Sequence, residues 1–154
     1  MSKAIVISAM SQEQPVSVEA KRRHIDHLCL AFAQDGVAIS IVKRLHQAKV
    51  LTVPETGELL ELQLPTVRSA LSYATALHEI GHVKGRHQKS RSVMVRERWA
   101  WRWARENALI WNDAMERRAT KALAWYEARQ FRIDAVFNTR KSRRPAAASG
   151  RLRR

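Results

Sequence analysis

Apolar residues near the start of the chain recur with the period of a helix. Ile25, Leu28, Cys29 and Phe32 sit at i, i+3, i+4 and i+7, on one face, and Asp35-Gly36 supplies a stop. The spacing predicts a first helix from Ser17 to about Gln34. The pattern then changes. Val37 to Leu45 and Lys49 to Val53 are rich in β-branched residues, and Glu58 to Leu64 alternates, with Leu60, Leu62 and Leu64 on one side and Glu61 and Gln63 on the other. Pro54-Glu55-Thr56-Gly57 separates the last two stretches; Pro presets φ and Gly can take φ > 0. A small sheet containing a β-hairpin is the expectation.

Helical patterning returns at Pro65-Thr66, and the predicted second helix runs to about Lys84, with Gly85 placed to end it through a left-handed cap. A basic loop from Arg86 to Arg91 leads to a third helix over Val93 to Ile110. Asp113 and Glu116 have the spacing of a capping box for a fourth, lasting to about Gln130. The predicted fold class is therefore α+β: an N-terminal helix, a small sheet with a hairpin, a second helix and two C-terminal helices. These form one compact domain over residues 17–138, preceded by a segment over 1–16 and followed by a basic, disordered tail over 139–154.

Composition alters this little. A chain of 154 residues, 45% apolar and 27% charged, is an ordinary globular mix, long enough for one core without staples. Cys29 is the single cysteine, which excludes an intrachain disulfide and points to a reducing compartment. No stretch reaches the ~18 apolar residues of a membrane span. Lys3 and the short apolar run Ala4 to Met10 lack a cleavage site that would mark a secretory signal. A cytoplasmic protein with no membrane contact is expected.

Charge does change the picture. Net charge is +14, and residues 139–154 hold seven of the cations (Arg140, Lys141, Arg143, Arg144, Arg151, Arg153 and Arg154) and no acid, which leaves +7 on the rest. A chain basic in both body and tail favours polyanions, nucleic acid or an acidic protein, with the tail as the natural contact.

The second predicted helix carries His78-Glu79-Ile80-Gly81-His82, the pattern H-E-x-x-H. On a helix the histidines lie four residues and about 40° apart, so both imidazoles can reach one cation while Glu79 is offset toward a water it can deprotonate. Metal-assisted hydrolysis requires that geometry. Leu71, Ala74 and Thr75 share the His78 face, which turns the pair inward; two structural histidines bonded to nearby acceptors are the bland alternative. A catalytic zinc (Zn2+) site needs a third protein ligand. His87 is one candidate, because His78 to His87 is one residue short of the metzincin pattern H-E-x-x-H-x-x-G-x-x-H. Glu97 is the other and the better placed, since it shares the small apolar stripe Ala100, Ala104, Ala108 and Trp111 of the third helix, where a carboxylate is costly without a partner. His87, Tyr73 and Tyr126 are also possible donors to an oxyanion, and the five tryptophans from Trp99 to Trp125 are expected mainly to pack the third helix on the fourth.

Glu97-Arg98-Trp99-Ala100-Trp101-Arg102-Trp103-Ala104, after His78-Glu79-Ile80-Gly81-His82, resembles the ImmA/IrrE family of metallo-endopeptidases. Glu97, Ala100, Trp103 and Ala104 match the family's E-x-E-A-N-x-[FW]-A helix; Trp99 stands where a second Glu is usual and Trp101 where Asn is usual. The likeness covers Thr66 to Ala104, about a quarter of the chain. It implies a zincin-like α+β fold, a zinc held by His78, His82 and Glu97, and Glu79 as general base and later proton donor. A sheet edge would align an extended peptide, and the implied substrate is a protein, often a transcriptional repressor. The competing reading is a non-enzymatic nucleic-acid-binding or regulatory protein in which the metal site is structural or vestigial.

Overall fold

A computed structural model of the protein describes residues 15–142. In chain order the elements are α1 (Val18–Gln34), β1 (Ala38–Val42), a 3₁₀ turn (Leu45–Gln47), β2 (Lys49–Thr52), β3 (Leu59–Pro65), α2 (Ala70–Lys84), α3 (Val93–Asn107) and α4 (Asp113–Ser142). The class is α+β, four helices and a three-stranded mixed sheet of order β1-β3-β2. β3 is central, parallel to β1 and antiparallel to β2 in the expected hairpin. Among the described residues, no helix is long and apolar enough to cross a membrane.

α1 starts where Ser17 accepts a hydrogen bond from the Ala20 amide and stops at Asp35, after which Gly36 takes φ 80°. Its apolar face, Ile25, Cys29 and Phe32, is buried. Leu62 and Leu64 of β3 join it in one core, but Leu60, predicted to share their side, is half exposed. The pairing of β2 with β3 shifts register at Leu51/Thr52, and that irregularity turns the far end of the hairpin off the core. α2 is the centre of the molecule: every residue from Ser72 to Gly81 is buried, so it is surrounded on all sides and not amphipathic.

Five helix ends differ from the sequence expectation. Pro65 ends β3 instead of opening a helix, and α2 begins at Ala70 behind Ser69, whose side chain accepts from the Ser72 amide in a reciprocal box. Gly85 follows α2 in an extended conformation (φ −70°), and the left-handed residue is His87 (φ 58°). α3 ends at Asn107. The cap of α4 is Asn112, whose Oδ1 accepts from the Met115 amide, because Glu116 is taken by Arg105 and the Trp111 indole. α4 continues twelve residues past Gln130 to Ser142, into the region expected to be tail, since no Gly or Pro interrupts it and side-chain bonds Gln130 to Asp134 and Thr139 to Ala135 span its turns. The rest of the predicted disordered tail, and the N-terminal segment up to residue 14, lie outside the described residues.

Burial of Cys29, with the Asp26 carboxylate nearby, pushes its thiol up to about 11. The folded protein therefore keeps the thiol protonated where the unfolded chain ionises it, and this contribution to stability is lost as pH rises past 9 toward 11. At pH 9, iodoacetamide should alkylate Cys29 about 50-fold more slowly in the folded protein than in urea. Equal rates in the two states would contradict the burial of this residue.

Candidate metal centre

α2 and α3 cross with their backbones in contact. A Cβ on Gly81 would lie 2.5 Å from the Ala100 carbonyl oxygen and 3.0 Å from its Cα, so only glycine allows the approach. Glu97 stands nearly one turn before Ala100, and the crossing carries its carboxylate between the two histidines of α2. His78 Nε2 is 3.3 Å from Glu97 Oε2, His82 Nε2 is 3.4 Å from Glu97 Oε1, and the two Nε2 atoms are 3.1 Å apart. All three residues are buried or nearly so.

Those separations fit a metal ion. Bonds of about 2.0–2.1 Å around a tetrahedral centre set ligand atoms roughly 3.3–3.4 Å from each other. Hydrogen bonding alone leaves the group short of partners, because Glu97 Oε2 and His78 Nδ1 are buried without one. The electrostatics agree. Burial lowers His78 to about 4 against the pull of Glu97, so its imidazole is neutral near pH 7, as a ligand must be. Burial also opposes a charge on His82, but the Glu97 carboxylate and Gln88 outweigh it and raise the net value. Burial would raise Glu97, yet the two imidazoles bring it down to about 2, so it is ionised. The His78, His82 and Glu97 group can hold a metal ion.

Two neighbours of this group were not legible in the sequence. Gln88 donates from Nε2 to the Arg96 and Arg86 carbonyls at 3.0 and 3.2 Å, which leaves its Oε1 facing His82 Nδ1 at 3.0 Å. That contact puts the His82 proton on Nδ1 and frees Nε2 for a metal. Trp101 is buried against α2, its ring stacked on His78 at 4.1 Å, where the sequence reading expected tryptophans to join α3 to α4. The nearest available signal was the position of Trp101 one residue after the Ala100 of the apolar stripe.

Glu79 is buried beside the ligands, and burial raises its carboxyl to about 7. His87 is not among the grouped ligands; its left-handed backbone turns the chain toward Gln88, and its ring lies against Trp99 at 4.7 Å. Tyr73 is a structural residue, its hydroxyl accepting from the Leu109 amide and bonded to His24 Nδ1 at 2.6 Å. Tyr126 of α4 sits beside Glu97, and burial followed by that negative charge pushes its phenol up. Of the tail cations, Arg140 and Lys141 fall in the last turn of α4 with side chains outside the described set, and Arg143, Arg144, Arg151, Arg153 and Arg154 lie outside the described residues. Compared with family models, curated proteins and solved structures, the chain matches none of them.

Elemental analysis should find about one metal ion per chain in the wild type and in His87→Ala, and less than a tenth of that in Glu97→Ala. Loss of metal in His87→Ala with retention in Glu97→Ala would reverse the assignment.

Proposed function

We propose that this protein is a zinc-dependent endopeptidase with a zincin-like fold, hydrolysing a peptide bond of a regulatory protein. The observation that carries the reading is the convergence of His78, His82 and Glu97 from two crossing helices with Glu79 buried beside them. The resemblance of the same residues to the ImmA/IrrE motif supports it. A zinc ion held by these three ligands supplies a Lewis acid that polarises a carbonyl and lowers the pKa of water.

The chain's own groups do the rest. Glu79, with its carboxyl held near 7, accepts the proton of the attacking water and returns it to the leaving amine nitrogen as the C–N bond breaks. Gln88 keeps His82 in one tautomer, and Trp101 fixes the plane of His78 by stacking. β2, the edge strand in contact with α2, offers backbone groups to align an extended peptide. The net charge of +14 fits a cytoplasmic substrate met on a polyanion, and a DNA-bound transcriptional repressor combines both properties. The same charge is what favours the second reading, a nucleic-acid-binding protein with a structural metal.

Glu79→Gln separates the two. Incubated with a proteome-derived peptide library and with repressors bound to their DNA, the wild type should generate new N-termini that vanish with Glu79→Gln, while both chains retain one zinc. Identical fragment patterns from the two chains would leave the nucleic-acid-binding reading in place.

A further inference from the structure

The end of α2 and the outer side of α3 enclose a cavity of about 240 Å³, lined by Lys84, Arg86, Trp99, Arg102, Trp103 and Glu106. It shares no residue with the ligand group, because Trp99 and Trp103 stand one turn apart on the side of α3 away from Glu97. Gly85 builds the near wall. A Cβ there would lie 2.5 Å from the Gly81 carbonyl oxygen and 3.2 Å from that of Trp99, so the chain passes this close to α3 only as glycine, with Lys84 and Arg86 on either side of the contact.

Charge narrows what the cavity can take. From Lys84 to Arg105 the chain carries eight lysines and arginines against one acid, Glu97, which faces the histidines of the ligand group. Within the cavity Glu106 is bound to Arg102 at 2.7 Å, and among the described residues no carboxylate pairs with Lys84 or Arg86. Lys84 Nζ lies over the Phe32 ring at 4.7 Å, which orients the ammonium without neutralising it. An anion fits here. The aromatic wall adds a second demand: the Arg102 guanidinium lies over the Trp99 indole, 4.9 Å from its centre, and Glu106 holds it there. Trp99 is half-buried and outside the hydrophobic core, so packing of α3 on α4 does not account for it. An indole and a guanidinium plane beside unpaired cations suit a flat ring that carries a negative group.

We propose that this cavity binds one nucleotide unit, its base stacked on the Trp99 and Arg102 platform and its phosphate held by Lys84 and Arg86. The site does not depend on the metal reading. A free mononucleotide and an unpaired nucleotide of a single strand offer the same chemistry. Duplex DNA does not, because its bases are already stacked inside the helix.

A labelled oligothymidylate and a DNA duplex of equal length, each titrated with the full chain at one fixed salt concentration and followed by anisotropy, read the site. Trp99→Leu, which leaves the charge unchanged, should weaken binding of the single strand about tenfold and of the duplex by less than about twofold. Arg102→Lys, which keeps the charge and loses the plane, should weaken the single strand about threefold with the same small effect on the duplex. Unlabelled thymidine monophosphate separates the two sources: displacement of the strand at matched nucleotide concentration assigns the site to a free nucleotide, and displacement by unlabelled strand alone assigns it to a single strand. Single-strand affinity within about twofold of wild type in Trp99→Leu overturns the proposal, as does inorganic phosphate that displaces the strand as well as unlabelled strand does. Should Trp99→Leu fail to fold, Arg102→Lys, at an exposed position of α3, is read by the same criterion.

Discussion

Gly81 of α2 and Ala100 of α3 bring two helix backbones into direct contact, and the ligand group exists because of that contact. Any side chain at position 81 would press on a carbonyl oxygen and a Cα, neither of which can rotate away. The helices would have to separate, at a cost of about 1–3 kcal/mol. Glu97 would recede from the histidines with them. The buried small residues Ala100 and Ala104 on α3 serve the same close approach from the other side.

The crossing brings together groups that are unfavourable apart. An ionised carboxylate and two imidazoles are buried within 3.1–3.4 Å of one another, and two of their polar atoms find no hydrogen-bond partner. Each solves part of the other's desolvation, and a metal ion would complete the set. Around it the chain adds supports of different kinds. Gln88 fixes a tautomer, Trp101 covers a ring face, and α4 brings Tyr126 beside Glu97.

Local patterning explains what was readable in advance. The face of α1, the hairpin turn and the i, i+4 histidines all depend on spacings of a few residues, which a linear sequence displays directly. Glu97 was legible for an energetic reason, since a carboxylate in an alanine stripe requires a partner. Gln88 was not, because its place depends on the hand of the loop, set by His87 at φ 58° where Gly85 looked the obvious choice. Trp101 was hidden as well: its partner is a histidine 23 positions earlier, reached only through the helix crossing. The starts of α2 and α4 follow side-chain caps, Ser69 and Asn112, that periodicity alone does not single out, and no Gly or Pro stops α4 before Ser142.

The central claim is that His78, His82 and Glu97 bind one metal ion together. X-ray absorption at the zinc edge of the purified, reconstituted protein tests it most directly. The account predicts a four- or five-coordinate zinc with nitrogen and oxygen neighbours at about 2.0–2.1 Å, two of them showing imidazole scattering. A sulfur neighbour near 2.3 Å, or a shell with no imidazole signature, would contradict it.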